Sequence, residues 1–301
     1  MSTYQANGKL LLTGEYLVLK GALALAVPTK YGQSMVVETR RATSLQWQAF
    51  KPEGPWFSTT LNNDLDVLTT DDPSKAQRLS EILKAVCKLN PTAFQKGLRF
   101  ETRLDFDPEW GLGSSSTLIA NLARWAGIDP YQLLRMTFGG SGYDIACATA
   151  NQPIFYHLIG DKPQVHPVDF NPPFADHLFF VYQGQKQQSS KEVKSFNQRM
   201  QEYDCLDDVD AVSEISEALP NITTLADFRR FIDVHEDILA HCLDREPVRT
   251  QHPDFEGSLK SLGAWGGDFI MAATPWSYDQ VADYFKNKGL ATVFKYHDII
   301  P

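Results

Sequence analysis

Two glycines flank one leucine at Gly111-Leu112-Gly113, and four hydroxyl residues, Ser114, Ser115, Ser116 and Thr117, lead straight into the apolar-periodic stretch 118–125. Glycine permits positive φ and close backbone approach. Serine and threonine are favoured where a helix begins, because their oxygens accept free backbone N–H groups. A tight turn feeding a helix start aims several N–H groups, and the positive end of the helix dipole, at one point in space, and such a point receives phosphate. No lysine follows the second glycine, so the run is not the Walker pattern, and its spacing is not the dinucleotide one. Taken alone, it reads as an ordinary loop and helix cap. Its company elsewhere in the chain decides.

The chain has 301 residues, enough to bury a large core and to divide into two domains. Hydrophobic content of 43% and charged content of 22% are those of a globular protein. A net charge of −9 without any arginine-lysine run argues against nucleic acid as a partner, whereas a phosphorylated small molecule needs only a few local cations. Cys87, Cys147, Cys205 and Cys242 are widely spaced and form no CxxC pair, so buried free thiols are expected. The apolar stretch 17–27 is broken by Lys20 and Gly21 and is too short to span a bilayer, and residues 1–9 have no apolar core of signal-peptide length. A cytoplasmic protein with no membrane partner is expected.

Residues 7–18 read as a buried strand, a turn at Thr13-Gly14 and a further element. An apolar run follows at 22–28, then an alternating strand at 31–40, and one or two strands over 47–61 around a Pro-Glu-Gly-Pro turn. The spacing of Leu79, Ile82, Leu83 and Val86 predicts a helix over 74–89, capped by Asp72 or Ser74 beside Pro73. A strand at 98–106 delivers the chain to the glycine turn, after which helices are expected at 115–126 and 130–136 and strands at 153–158 and 164–168. The proline-rich span 169–174 marks a boundary between domains 1–170 and 171–301. Beyond it come a strand at 177–182, helices at 189–200, 209–219 and 225–243, a glycine turn with an apolar strand at 261–274, a helix at 278–288 and a closing strand at 291–296.

Three further segments carry residues suited to chemistry. Lys9 and Glu15 bracket an apolar strand; alone, such residues are more often solvated strand ends. Asp144 follows the turn Gly140-Ser141-Gly142, where a carboxylate can face a cleft and accept a hydroxyl proton, although turn bonding and helix capping are common uses of the same residue. Lys260-Ser261-Leu262-Gly263-Ala264-Trp265-Gly266-Gly267-Asp268 is a second glycine-rich run.

In this order the segments resemble the GHMP kinases, the family of galactokinase, homoserine kinase, mevalonate kinase and phosphomevalonate kinase. The resemblance rests on GLGSSST at 111–117, on GKLLLTGEYLVLKGALALAV at 8–27 (most of all as it stands in phosphomevalonate kinases), on GSGYDIA at 140–146, and on the run 260–268. It implies a two-domain α+β fold, with an N-terminal domain like ribosomal protein S5 domain 2 and a ferredoxin-like C-terminal domain. It also implies ATP against Gly111, Leu112, Gly113, Ser114, Ser115 and Ser116, and Mg²⁺ on Ser115. Asp144 becomes the catalytic carboxylate, and Lys9 the cation that favours deprotonation of the reacting hydroxyl and steadies phosphoryl charge. Glu15, Tyr16, Ser141, Gly142, Gly263, Ala264 and Gly266 fall on the substrate side.

Mevalonate kinases usually carry histidine where Tyr16 stands, so this position leans toward the phosphomevalonate branch. Two departures from the family stand out. No glutamate in the segment 117–139 matches the one that helps those enzymes hold Mg²⁺; Asp129 is the one acid there. Trp265 and Asp268 replace small residues, so an indole must reshape that loop, and a carboxylate beside phosphates repels them unless a metal lies between. Weaker echoes lie at 182–191, with Ser189 or Ser190 at a helix start, and in the helix containing Asp233, His235 and Leu239; His235 alone reads as a surface or packing histidine. The implied activity is transfer of the ATP γ-phosphoryl group to mevalonate or phosphomevalonate, in a monomer or homodimer. A kinase of a sugar or homoserine-like alcohol, and an ATP-binding protein without turnover, are the competing readings.

Overall fold

The computed structural model describes residues 1–41, 43–95, 97–184, 189–201, 203–263, 265 and 267–301, with backbone only at 189–191. The chain divides into two compact units, one of residues 1–8, 31–108 and 112–149, the other of residues 9–30, 109–111 and 150–301.

Period-two alternation builds the sheet of the first unit. Strands β1 (Ser2–Leu11) and β2 (Ala24–Arg40) contribute part of their length to it, joined by β3 (Leu45–Lys51), β4 (Gly54–Leu61), β5 (Val67–Thr70) and β6 (Gly97–Leu104). Their order is β5-β4-β3-β6-β2, with β1 also paired to β2. β3 runs parallel to β6, and the pairs β2–β6, β3–β4 and β4–β5 are antiparallel. Met35, Val37, Trp47, Ala49, Leu98 and Phe100 share one buried cluster with the apolar stripes of α1 (Pro73–Leu89), α2 (Ser114–Ala126) and α3 (Pro130–Thr137). Trp47 stacks on Phe100 at 4.9 Å, and Trp125 of α2 meets the same ring edge-on at 4.9 Å. α1 starts as its sequence predicts: Asp72 accepts the Lys75 N–H at 3.0 Å, and Pro73 opens the first turn. The short helix α4 (Tyr143–Thr149) closes the unit.

The runs 22–28 and 31–40, expected as separate elements, form the single strand β2. It pairs with β7 (Ile154–Ile159) through Ala24 to Ala26 and with β6 from Gln33 onward. Pro28 falls between the two registers, where its missing N–H costs neither ladder a bond.

In the second unit β7 also pairs with β8 (Lys162–Pro167). A separate antiparallel sheet has the order β10 (Ser258–Leu262), β11 (Phe269–Ala273), β9 (Leu178–Tyr182), β12 (Val293–Lys295). Phe179, Val181, Leu259, Ile270 and Ala272 pack from it onto Val281 and Phe285 of α8 (Tyr278–Asn287), whose start is fixed by a capping box between Ser277 and Gln280. The helices α5 (Ser189–Arg199), α6 (Leu206–Ala218), α7 (Leu225–Leu243) and α9 (Tyr296–Ile299) complete the unit. β10 begins at Ser258, three residues before the strand region the sequence suggests, and every residue in it is buried. Cys87, Cys147, Cys205 and Cys242 are free thiols. Among the described residues no helix is long and apolar enough to cross a membrane.

Candidate active site

The first unit supplies the helix start. α2 begins at Ser114 after Gly113, which serves as its N-cap with φ 96°. No side chain among the described residues caps it. The first N–H groups of a helix have no partner within it, and here the side chains that normally serve them are turned elsewhere. Ser116 Oγ donates to the Gly113 carbonyl at 2.9 Å, and Thr117 Oγ1 donates back to the same carbonyl at 3.1 Å. Asn121 Nδ2 ties the helix to β2 through the Gln33 carbonyl at 2.9 Å. Leu112 and Ser116 are buried and Ser115 is exposed, so Leu112 has only its backbone to offer a ligand, whereas the Ser115 hydroxyl is open to solvent. The arrangement suits an anion. Among the described residues no group of three or more His, Cys, Asp or Glu side chains is arranged to hold a metal ion. A magnesium ion that keeps most of its waters needs only one or two protein oxygens, and the exposed Ser115 hydroxyl fits that role.

Asp144 lies in the first turn of α4, half-buried, and its Oδ1 accepts the Ile145 N–H at 3.0 Å. Local bonding within the first turn thus occupies one oxygen. Burial, and then the charge of Asp144, push the Tyr131 hydroxyl up to about 12, so that phenol stays protonated. Gly142 is buried and starts the helix, its carbonyl accepting the Ile145 and Ala146 N–H groups; Ser141 is half-buried.

The second unit brings together residues of three segments that are far apart in the chain. Lys9 Nζ donates to the Gly111 carbonyl at 2.8 Å. Gly111 (φ 71°) and Gly263 (φ 80°) both hold backbone conformations that favour glycine, and a Cβ at either would overlap the Asp268 carboxylate, on Oδ1 from one side and on Oδ2 from the other. Asp268 is only 6% exposed and itself has φ 43°. Its carbonyl accepts the Gln183 N–H at 3.0 Å, and the Gln183 side chain donates to the Gly267 carbonyl at 2.7 Å. Ala264 and Gly266, and residues 185–188 of the strand-loop-helix echo, lie outside the described residues.

Beneath this loop is a buried charged cluster. Lys260, fully buried on β10, donates to Glu15 Oε1 at 2.5 Å and to the Ser261 carbonyl at 3.0 Å. Glu15 is 3% exposed, and burial raises its carboxyl while Lys260 pulls it back down. Glu236 is raised by burial as well, against Lys260 and hydrogen bonds from the Val248 and Ser261 N–H groups and the Ser261 hydroxyl. His235 is fully buried rather than a surface residue; burial, then the charge of Lys260, holds it well below its ordinary value. Its Nε2 accepts the Gly14 N–H at 2.9 Å. The ring is therefore neutral with a lone pair on that nitrogen, and its 3.7 Å approach to Glu15 Oε2 is not an ion pair.

Tyr16, at φ 61°, accepts the Trp265 N–H on its hydroxyl at 2.9 Å, and burial raises that hydroxyl to about 12. The Trp265 indole turns into an apolar cluster with Tyr16, Leu17, Ala22, Phe196 and Leu239 and is 7% exposed. The indole expected to reshape a phosphate loop serves as core. Lys260 and Glu236 are the residues the sequence reading left without a role. The available signal was a lysine between two leucines in a run where the only other charge is Asp268.

Neither a family model nor a curated protein sequence matches the chain. Solved structures do, and the fold they share with it, a large sheet and a smaller one in a mixed α+β chain, is the two-domain fold of the GHMP kinases. Among them, the Methanococcus jannaschii mevalonate kinase is 13% identical with a TM-score of 0.69, over 97% of this chain and 96% of that one. The Streptococcus pneumoniae phosphomevalonate kinase in complex with phosphomevalonate and AMPPNP is 16% identical with a TM-score of 0.69, over 98% and 100%. The Lactococcus lactis galactokinase complexed with galactose is 12% identical with a TM-score of 0.66, over 97% and 92%.

Proposed function

We propose that the protein is an ATP-dependent kinase of a small molecule, with mevalonate or phosphomevalonate as acceptor. One observation carries the reading: Lys9 and the Asp268 carboxylate, drawn from two separate motifs, both meet Gly111, the first glycine of a third. The GHMP kinase fold, shared with solved kinases, supports phosphoryl transfer as the chemistry.

In this reading the amides at the start of α2 hold phosphate oxygens, and Lys9 adds positive charge near the transferred group. Asp144 accepts the hydroxyl proton of an alcohol acceptor; if the acceptor is itself a phosphate, no such proton needs removal and the carboxylate orients the group instead. Mg²⁺, held through Ser115, neutralises phosphate charge when bound.

A coupled ADP-release assay with mevalonate, phosphomevalonate, homoserine and galactose tests this. Turnover is expected on one of the first two, falling about a hundredfold or more in Asp144→Asn with ATP affinity nearly unchanged. Turnover confined to galactose or homoserine replaces the acceptor. Tight ATP binding with no turnover on any of them sinks the kinase reading, and an unaffected rate in the variant removes Asp144 from the chemistry.

A further inference from the structure

We infer that the first unit carries a second binding site, a cleft for a small phosphorylated molecule at the far end of α2 from its glycine turn. The inference stands apart from the kinase reading and uses none of the residues assigned there.

Three connections of the first unit meet at this cleft. Arg40, Arg41 and Thr43 come from the end of β2 and the turn into β3, Asn63 from the link between β4 and β5, and Phe94 and Gln95 from the segment before β6. The space they enclose is about 480 Å³, inside the range of roughly 300–1,000 Å³ usual for small-molecule sites. Local bonding fixes its frame. Arg40 stands opposite Gly97 as the last pair of the β2–β6 ladder. The Asn62 side chain accepts the Asp64 and Asp66 N–H groups at 3.0 and 2.8 Å and so shapes the turn that presents Asn63. Asn90 Nδ2 donates to the Ala126 carbonyl at 2.8 Å, and the Phe94 ring lies 5.3 Å from that of Trp125, which ties the third connection to the last turn of α2. At about 1.5 Å per residue, the 13 residues of α2 put the cleft roughly 20 Å along the helix from Ser114.

The lining selects for negative charge. Other arginines of the unit have carboxylate partners: Arg78 meets Glu81, and Arg99 and Arg103 meet Glu101. Arg40 donates instead to the neutral Gln46 Oε1, and among the described residues neither Arg40 nor Arg41 pairs with a carboxylate. None of the described residues lining the cleft is acidic. In a chain of net charge −9, two adjacent guanidiniums without an acid make a local positive site. The planar guanidinium fork matches phosphate oxygens two at a time. Thr43, Asn63 and Gln95 add neutral hydrogen-bonding groups, and Phe94 supplies an apolar wall. A phosphate dianion that carries an apolar or aromatic group suits all of these.

Phenyl phosphate, titrated into the isotope-labelled full chain at pH 7 and constant ionic strength, is the probe, read at the backbone amides of Thr43, Gln95 and Gly97. These resonances are expected to shift saturably. In the double variant Arg40→Gln, Arg41→Gln the Kd read there is expected to rise at least tenfold. Asn63→Asp sets a carboxylate in the cleft with both arginines in place, and is expected to weaken binding by a similar factor. All three positions are exposed, so neither variant disturbs the core. No saturable shift, the same shifts from chloride at equal ionic strength, or a Kd unchanged in both variants overturns the assignment. The kinase reading survives each of those results, because it is tested by turnover at the other end of α2.

Discussion

Replacing Lys260 with methionine gives the sharpest test of how the buried cluster is built. Methionine matches the aliphatic stem and the volume, so packing changes little. What is lost is the only cation touching Glu15 among the described residues, together with a donor to the Ser261 carbonyl. Glu15 in its buried position then takes up a proton rather than remain an unpaired anion. Doing so at pH 7, against an ordinary value of 4.5, costs about 3.4 kcal/mol at roughly 1.36 kcal/mol per unit. The unsatisfied carbonyl adds about 1 kcal/mol. The total, about 4 kcal/mol, agrees with the cost of breaking buried ion pairs generally, about 3–5 kcal/mol. The pH dependence has a definite sign. A carboxyl whose folded value is raised contributes stability that is present below 4.5 and lost as pH rises through the folded value, and removing Lys260 moves that value further up. At pH 5 the protonation term shrinks to about 0.7 kcal/mol. Urea unfolding at pH 5, 6 and 7 should therefore show the variant recovering up to about 2.7 kcal/mol relative to wild type on acidification, less whatever part the already raised wild-type carboxyl shares. Glu15→Gln combined with Lys260→Met should restore most of the loss and flatten its pH dependence. A loss below about 1 kcal/mol at pH 7, or one that does not shrink in acid, refutes the ion-pair account.

His235 gives the opposite sign. Its folded value lies below the ordinary 6.5, so its neutral form contributes stability that is present above 6.5 and lost as pH falls toward the folded value. Between pH 6.5 and 5.5 wild type should lose about 1 kcal/mol more than His235→Gln, whose amide oxygen can still accept the Gly14 N–H; equal slopes in urea titrations would count against a buried neutral imidazole. Trp265→Ala should cost about 3–5 kcal/mol by thermal unfolding, because the indole fills a core beside Phe196 while its backbone N–H stays on Tyr16. A loss below about 1 kcal/mol would place that side chain outside the core.

Where a segment buries one face only, the sequence was enough. The helix over α1 was legible because Leu79, Ile82, Leu83 and Val86 repeat at helical spacing behind an Asp-Pro start, and those same groups supply the buried stripe and the cap. β10 was not legible in the same way. Ser258-Leu259-Lys260-Ser261-Leu262 neither alternates nor runs apolar, yet it is buried throughout, because its polar groups are satisfied from elsewhere in the chain: Ser258 by Asp233, Lys260 by Glu15 and Ser261 by Glu236. Local pattern reports how a segment divides between water and core. It does not report that a partner more than two hundred residues away has made a lysine acceptable inside. β2 was divided at Pro28 for a related reason, since a proline interrupts a strand only where a ladder needs its N–H.

The site shows the same division at closer range. The helix start at Ser114 was readable because glycine and hydroxyl residues act through their own backbone, so composition and geometry coincide. Glu15 and Asp268 were harder, because a carboxylate is ambiguous until its surroundings are known. Glu15 looked like a strand end facing solvent or substrate, and it is the counter-ion of a buried lysine. Asp268 looked like an intrusion among small residues, and two glycines at 111 and 263 have the room and the φ values that admit it. The glycines and the aspartate are therefore one feature, written in separate places: neither glycine tolerates a side chain while the carboxylate is there. Gly111 thus has two physical causes, the turn into α2 and the space for Asp268, and the sequence displays only the first.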